Sequence, residues 1–184
     1  MDLTLDEVVY KFTGQSSLEW LRIGRNLFTA SRILYRESEA GMTEMMVYLE
    51  KAGSCDDAWF PEAGTFLTAR MLSGMAIENV LKGLILRADP TLISEKELKG
   101  INHHDLNSLL QKLPEIQTTI GERQVLAELY ASIKWNGRFP IPRKQIDAKS
   151  PGEIKNEIEV VGQLYNRFKE LLESFCVINS SPNA

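Results

Sequence analysis

The chain has only two histidines, and they stand side by side as His103 and His104, followed by Asp105. Imidazole titrates near neutral pH, so His104 is the first candidate for acid/base work or a phosphate contact. The structural alternative makes Asp105 a helix cap and His104 a packed, hydrogen-bonded side chain. A second group, Glu78, Asn79 and Lys82, interrupts the apolar run 66–87. Arg70, Gly74, Glu78 and Lys82 recur at i+4 and form one ridge, with Glu78 four residues before Lys82, the favourable order for a helix ion pair. Buried polar groups need partners. Arg138 is the partner expected for Glu78, with His104 joining them. Such a network is either a small polar site or a clasp that pins the segment 135–142 onto the fold.

Two basic features could meet nucleic acid. Arg22, Arg25, Arg32 and Arg36 share one arc of one predicted helix, suited to a phosphate backbone or to a solvated face. The stretch 134–155 carries Lys134, Arg138, Arg143, Lys144, Lys149 and Lys155, with Trp135 and Phe139 interleaved. Basic and aromatic residues together suit single-stranded nucleic acid, and Arg143 and Lys144 are the candidate contacts. The alternative is a charged surface loop with both aromatics buried. There is no Gly-rich phosphate loop, zinc-ligand set or Ser-His-Asp order, so no cofactor and no metal are expected.

The elements that position these residues read as helices. The run 66–87 is apolar on nearly every side, so it is expected to be a buried helix spanning 63–88, with Pro61 at its first turn. Residues 1–15 form an arm, helical or extended. Ser16 and Glu19 suggest a capping box for a helical region 16–52, interrupted near Gly41, with Trp20, Ile23, Leu27, Ala30 and Leu34 inward and Leu21, Phe28 and Tyr35 flanking them. A short helix is expected at 94–98. Two helices follow in 105–135: one capped by Asp105, with Leu106, Leu109, Leu110 and Leu113 buried, and one opened by a Thr119/Glu122 box. The last helix is expected at 151–178. Its Ile154, Ile158, Val161, Tyr165, Phe168, Leu172 and Phe175 form a seam for another helix, in the same bundle or in a dimer. The fold class is therefore all-α, an antiparallel bundle of about five main helices in one domain.

Length and composition agree. A chain of 184 residues, 43% hydrophobic and 25% charged, suits a single well-buried domain. Its net charge of −4 argues against general adhesion to nucleic acid or anionic membranes. Two cysteines, Cys55 and Cys176, lack metal-type spacing, and the N-terminus shows no signal-peptide pattern. A reduced, cytoplasmic protein without a membrane segment is expected.

Three pieces carry a resemblance: Gly74 to Leu84 with Glu78, Asn79 and Lys82; His104-Asp105-Leu106 with Leu109-Leu110; and Trp135-Asn136-Gly137-Arg138-Phe139-Pro140-Ile141-Pro142. Their order and spacing resemble the HEPN-like (higher eukaryotes and prokaryotes nucleotide-binding) helical proteins, over roughly 60–145. The resemblance implies a helical bundle, often a homodimer. Its members include RNA-cleaving toxins and companions of small nucleotidyltransferases. Ribonucleolytic members carry an Arg followed four to six residues later by a His, and Arg87, the nearest arginine before His103, is too far back. The expected role is therefore non-catalytic binding of nucleic acid or nucleotide, in a toxin–antitoxin or defence setting. The alternatives are a metal-independent ribonuclease using His104 and Arg138, and a purely structural interaction module.

Overall fold

The computed structural model describes residues 4–53, 60–94, 97–136 and 156–178. Among them are six α-helices and no β-strand beyond a single bridge between Ile93 and Leu98. The all-α bundle expected from the sequence is the observed fold. Helix α1, Leu5–Gln15, opens on a capping box in which the Thr4 hydroxyl accepts from the Glu7 amide and the Glu7 carboxylate accepts from the Thr4 N–H. None of its residues is buried; Leu5 and Phe12 are 77% and 68% exposed. The Trp20 indole ties it to α2 by donating to the Gly14 carbonyl at 2.6 Å.

Helix α2, Ser17–Ala52, runs unbroken. Gly41 does not interrupt it. That glycine is instead where the chain passes closely: a Cβ there would lie 2.5 Å from the Ala63 nitrogen and 2.8 Å from the Glu62 carbonyl carbon. The Ser16/Glu19 box is not made. The Ser16 side chain caps nothing, and Glu19 pairs with Arg22 at 2.8 Å. The fully buried face of α2 is centred on the flank of the expected one, whose Trp20 and Leu27 pack half-buried against the core. It consists of Leu21, Gly24, Ser31, Tyr35, Ser38 and Gly41, while Ile23 is 40% exposed. Small residues win these positions because they let α3 approach. A Cβ on Gly24 would sit 3.0 Å from Val80, and the Ser31 and Ser38 hydroxyls are satisfied by the Phe28 and Tyr35 carbonyls of their own helix.

Helix α3, Thr65–Ala88, lies antiparallel to α2 and is buried without a gap from Val80 to Leu86. Pro61 lies in a turn before it rather than in its first turn. A 3-10 turn, Pro90–Leu92, leads to the Ile93–Leu98 bridge; of the short helix expected at 94–98, Ser94, Glu97 and Leu98 are not helical and 95–96 lie outside the described residues. The Lys99 N–H donates to the Leu92 carbonyl at 2.7 Å, which ties the two sides of the bridge together.

Helix α4, Leu106–Leu110, starts at Asp105, whose carboxylate accepts from the Ser108 N–H. Helix α5, Ile120–Ala131, starts on the Thr119/Glu122 box and passes into a π-turn, Ser132–Asn136. Gly74 of α3 admits this segment: a Cβ there would meet Ile133 at 2.9 Å and the Leu129 carbonyl at 3.1 Å. Helix α6, Glu157–Ile178, begins six residues later than expected, after Asn156 in a left-handed conformation (φ 59). Its Val161, Leu164, Tyr165, Phe168 and Leu172 are buried in the core with Ile77, Leu81 and Leu129. Most of the C-terminal seam is thus used within the chain, but its Ile158 is 40% exposed, and its Ile154 and Phe175 side chains lie outside the described residues.

Gly41→Ala is expected to lower the unfolding free energy by about 1–3 kcal/mol, because the new methyl meets backbone atoms. Urea denaturation checks this, and a variant as stable as the parent would contradict the close passage. Glu122 gives a pH signature. Burial works to raise its carboxyl, yet the Thr119 N–H and the Arg167 guanidinium, 3.0 Å away, hold it below the ordinary carboxylate range. A depressed folded-state pKa contributes stability above the ordinary carboxylate value and loses it as pH falls through Glu122's own value. Melting curves of the parent and Glu122→Gln should therefore differ at neutral pH and converge in acid.

Candidate functional site

The polar chemistry of the fold is strung along the ridge of α3. At one end Arg70 is only 1% exposed, although it carries a permanent charge. Its Nη2 donates to Glu157 Oε2 at 3.0 Å, and its Nε stands 2.7 Å from Oε1 as a charge contact without hydrogen-bond alignment. Glu128 adds a second carboxylate at 3.6 Å, and the Phe66 ring lies 5.6 Å from the guanidinium carbon. Burial pushes the Glu157 carboxyl above its usual range, Arg70 pulls it back, and Glu128 opposes Arg70. Tyr35 and Ser73 border this pair. Neither hydroxyl makes a well-formed hydrogen bond, and burial raises the Tyr35 phenol to about 12 despite the Ser73 hydroxyl beside it.

One ridge position on, Gly74 leaves room for Ile133. Then comes Glu78, buried, whose Oε1 accepts from Lys82 Nζ at 2.6 Å. His104 reaches the same carboxylate, with Nδ1 2.9 Å from Oε2. A carboxylate paired with an ammonium only accepts, so the proton facing Glu78 is assigned to Nδ1, and in the neutral ring the lone pair falls on Nε2. The His104 side chain is 57% exposed, so this nitrogen belongs to a solvent-facing ring held from behind by a buried acid.

Of the residues grouped from the sequence, Glu78, Asn79, Lys82, His104 and Arg138, the structure brings Glu78, Lys82 and His104 together. Asn79 does not join them; its amide donates to the Met75 carbonyl one turn back at 2.7 Å. His103 serves the turn, its Nδ1 accepting from the Asp105 N–H at 3.2 Å. Arg138, Arg143 and Lys144, with the expected Arg138–Glu78 pair, lie outside the described residues. On α2, Arg22 and Arg25 are engaged by Glu19 and Glu173, so the four-arginine arc is partly neutralised. The acids of the Arg70 cluster, Glu128 and Glu157, went unseen in the sequence. The available signal was Arg70 itself, a guanidinium in a helix whose surroundings are apolar. Among the described residues no His/Cys/Asp/Glu group could hold a metal ion, and no helix is long and apolar enough to cross a membrane. Comparisons with protein-family models, with curated proteins and with solved structures give no match.

Removing the acid that Lys82 and His104 share should cost far more than removing the exposed ring. Glu78→Ala, which strands Lys82 in the core, is expected to lose on the order of 3 kcal/mol. His104→Ala should lose less than about 1 kcal/mol, since its pair is largely solvated. Chemical denaturation of both variants checks the order, and a fully stable Glu78→Ala would sink the clasp.

Proposed function

We propose that this protein is a HEPN-like helical module that binds single-stranded nucleic acid or nucleotide without cleaving it. The observation that supports this reading most is His104, an exposed imidazole fixed by the buried Glu78–Lys82 pair. Fixing the ring in advance lowers the ordering cost of a phosphate or base contact. In this reading the basic stretch 134–155 supplies the charge, through Arg138, Arg143 and Lys144, and Trp135 and Phe139 supply stacking. The setting proposed is toxin–antitoxin or defence, in the cytoplasm, beside a small nucleotidyltransferase. The homodimer included in the proposal draws on the exposed Leu5, Val9 and Phe12 of α1, since most of the α6 seam is used within the chain.

A second reading, RNA cleavage by His104 with Arg138, is favoured by one specific feature: Nε2 keeps a lone pair that can take a proton. The departure from the family's Arg–His spacing weighs against it. A purely structural interaction module remains the third.

Fluorescence anisotropy with a labelled mixed-sequence RNA separates them. Binding is expected to weaken steeply between about 50 and 200 mM salt. Changing Arg143 and Lys144 together to Ala should reduce the salt slope by about 1.4, two single-strand phosphate contacts' worth. Absent or salt-independent binding would leave the structural reading. RNA cleavage abolished by His104→Ala would replace the binding reading with the second one.

A further inference from the structure

Away from His104, and sharing no residue with that site, helices α2 and α6 leave a groove of about 350 Å³ between them. This lies within the range of small-molecule sites. Its aromatic wall is rigid: Phe28 stacks on Tyr165 with ring centroids 3.8 Å apart. Tyr35, buried and with a hydroxyl that lacks a well-formed hydrogen bond, also lines it.

The opposite wall, on α6, is open at one position. Gly162 lies inside α6 without left-handed backbone, and a Cβ built on it meets nothing within 4 Å. Glycine is a poor helix former. Here neither a turn nor a crowding neighbour within the chain demands it, in contrast to Gly41 and Gly74. What its missing side chain does is keep the α6 backbone open to a body entering the groove.

The charges at the rim restrict what that body is. Arg32 has no acidic partner among the described residues, although Arg22 and Arg25 on the same helix do. The groove also carries one acid, Glu159, which accepts from the Gln163 amide at 3.1 Å. Among the described residues the lining thus holds one unpaired guanidinium and one carboxylate already engaged by Gln163, which leaves room for a single negative charge and disfavours a polyanion.

We propose that this groove binds a small monoanion with a flat apolar body, the body lying between Phe28 and Gly162 and the anionic group on Arg32. The test is an amide NMR titration of the full chain with 2-naphthoate and with its neutral counterpart 2-naphthamide. Naphthoate should shift the Gly162 amide saturably, with a Kd at or below about 1 mM, the level a ligand of this size reaches at ordinary efficiency. Arg32→Gln, an exposed change, should weaken naphthoate about tenfold and leave naphthamide unaltered. Gly162→Leu should abolish both while melting at or above the parent temperature, leucine being the better helix former. The proposal is overturned by no saturable shift at Gly162, by naphthoate binding no tighter than naphthamide, or by full binding in a folded Gly162→Leu. Should that variant fail to fold, Arg32→Gln decides alone: unchanged naphthoate affinity overturns the site.

Discussion

Helix α3 is covered by the rest of the bundle over most of its length, so each of its buried charges must find its counter-charge inside the protein. That single constraint organises the fold. Arg70 is answered by Glu157 and Glu128, and Lys82 by Glu78. An uncompensated guanidinium or ammonium at these depths would cost several kcal/mol. Apolar residues of similar volume would hold the helices together as well, but they would accept many neighbours. A buried charge accepts few. The ridge thereby fixes the first turn of α6 through Glu157 and the connection before α4 through His104.

The same ridge separates what the sequence made legible from what it did not. The buried character of α3, the Asp105 cap, the Thr119/Glu122 box and the Glu78–Lys82 pair were readable, because each rests on local spacing or on an unmistakable polar insertion, whereas His104, 26 positions from Glu78, was placed beside it only as a companion of Arg138. The Arg70–Glu157 pair was not, since its partners are 87 positions apart and Glu157 sits in a stretch that reads as charged surface. Gly41 looked like a helix break because glycine has low helix propensity. In the structure it is the point where residues 62 and 63 cross α2. Ile23 was expected inward from periodicity alone, but the close α2–α3 approach selects small residues and turns the face toward Gly24, Ser31 and Ser38. At Ser16, local chemistry was outbid by an ion pair, Glu19 choosing Arg22 over the cap.

The clasp and the site are two aspects of one arrangement. Glu78 must be buried and charged to neutralise Lys82, and a carboxylate in that state has acceptor capacity left for an imidazole proton. His104 uses it. The bundle thus carries outward, as an oriented ring, the consequence of a charge balance needed for packing. Most of that ring remains in solvent, so the packing alone gives no reason for its exposure.

The most direct measurement is the nitrogen NMR spectrum of the His104 side chain, recorded above the pH range in which imidazole titrates. A ring held by Glu78 should show a protonated Nδ1 and an unprotonated, pyridine-type Nε2, with the pattern lost in Glu78→Gln. A ring protonated on Nε2, or one averaging over both tautomers as free histidine does, would contradict the account: the ridge of α3 would then end at Lys82 and orient nothing at the surface.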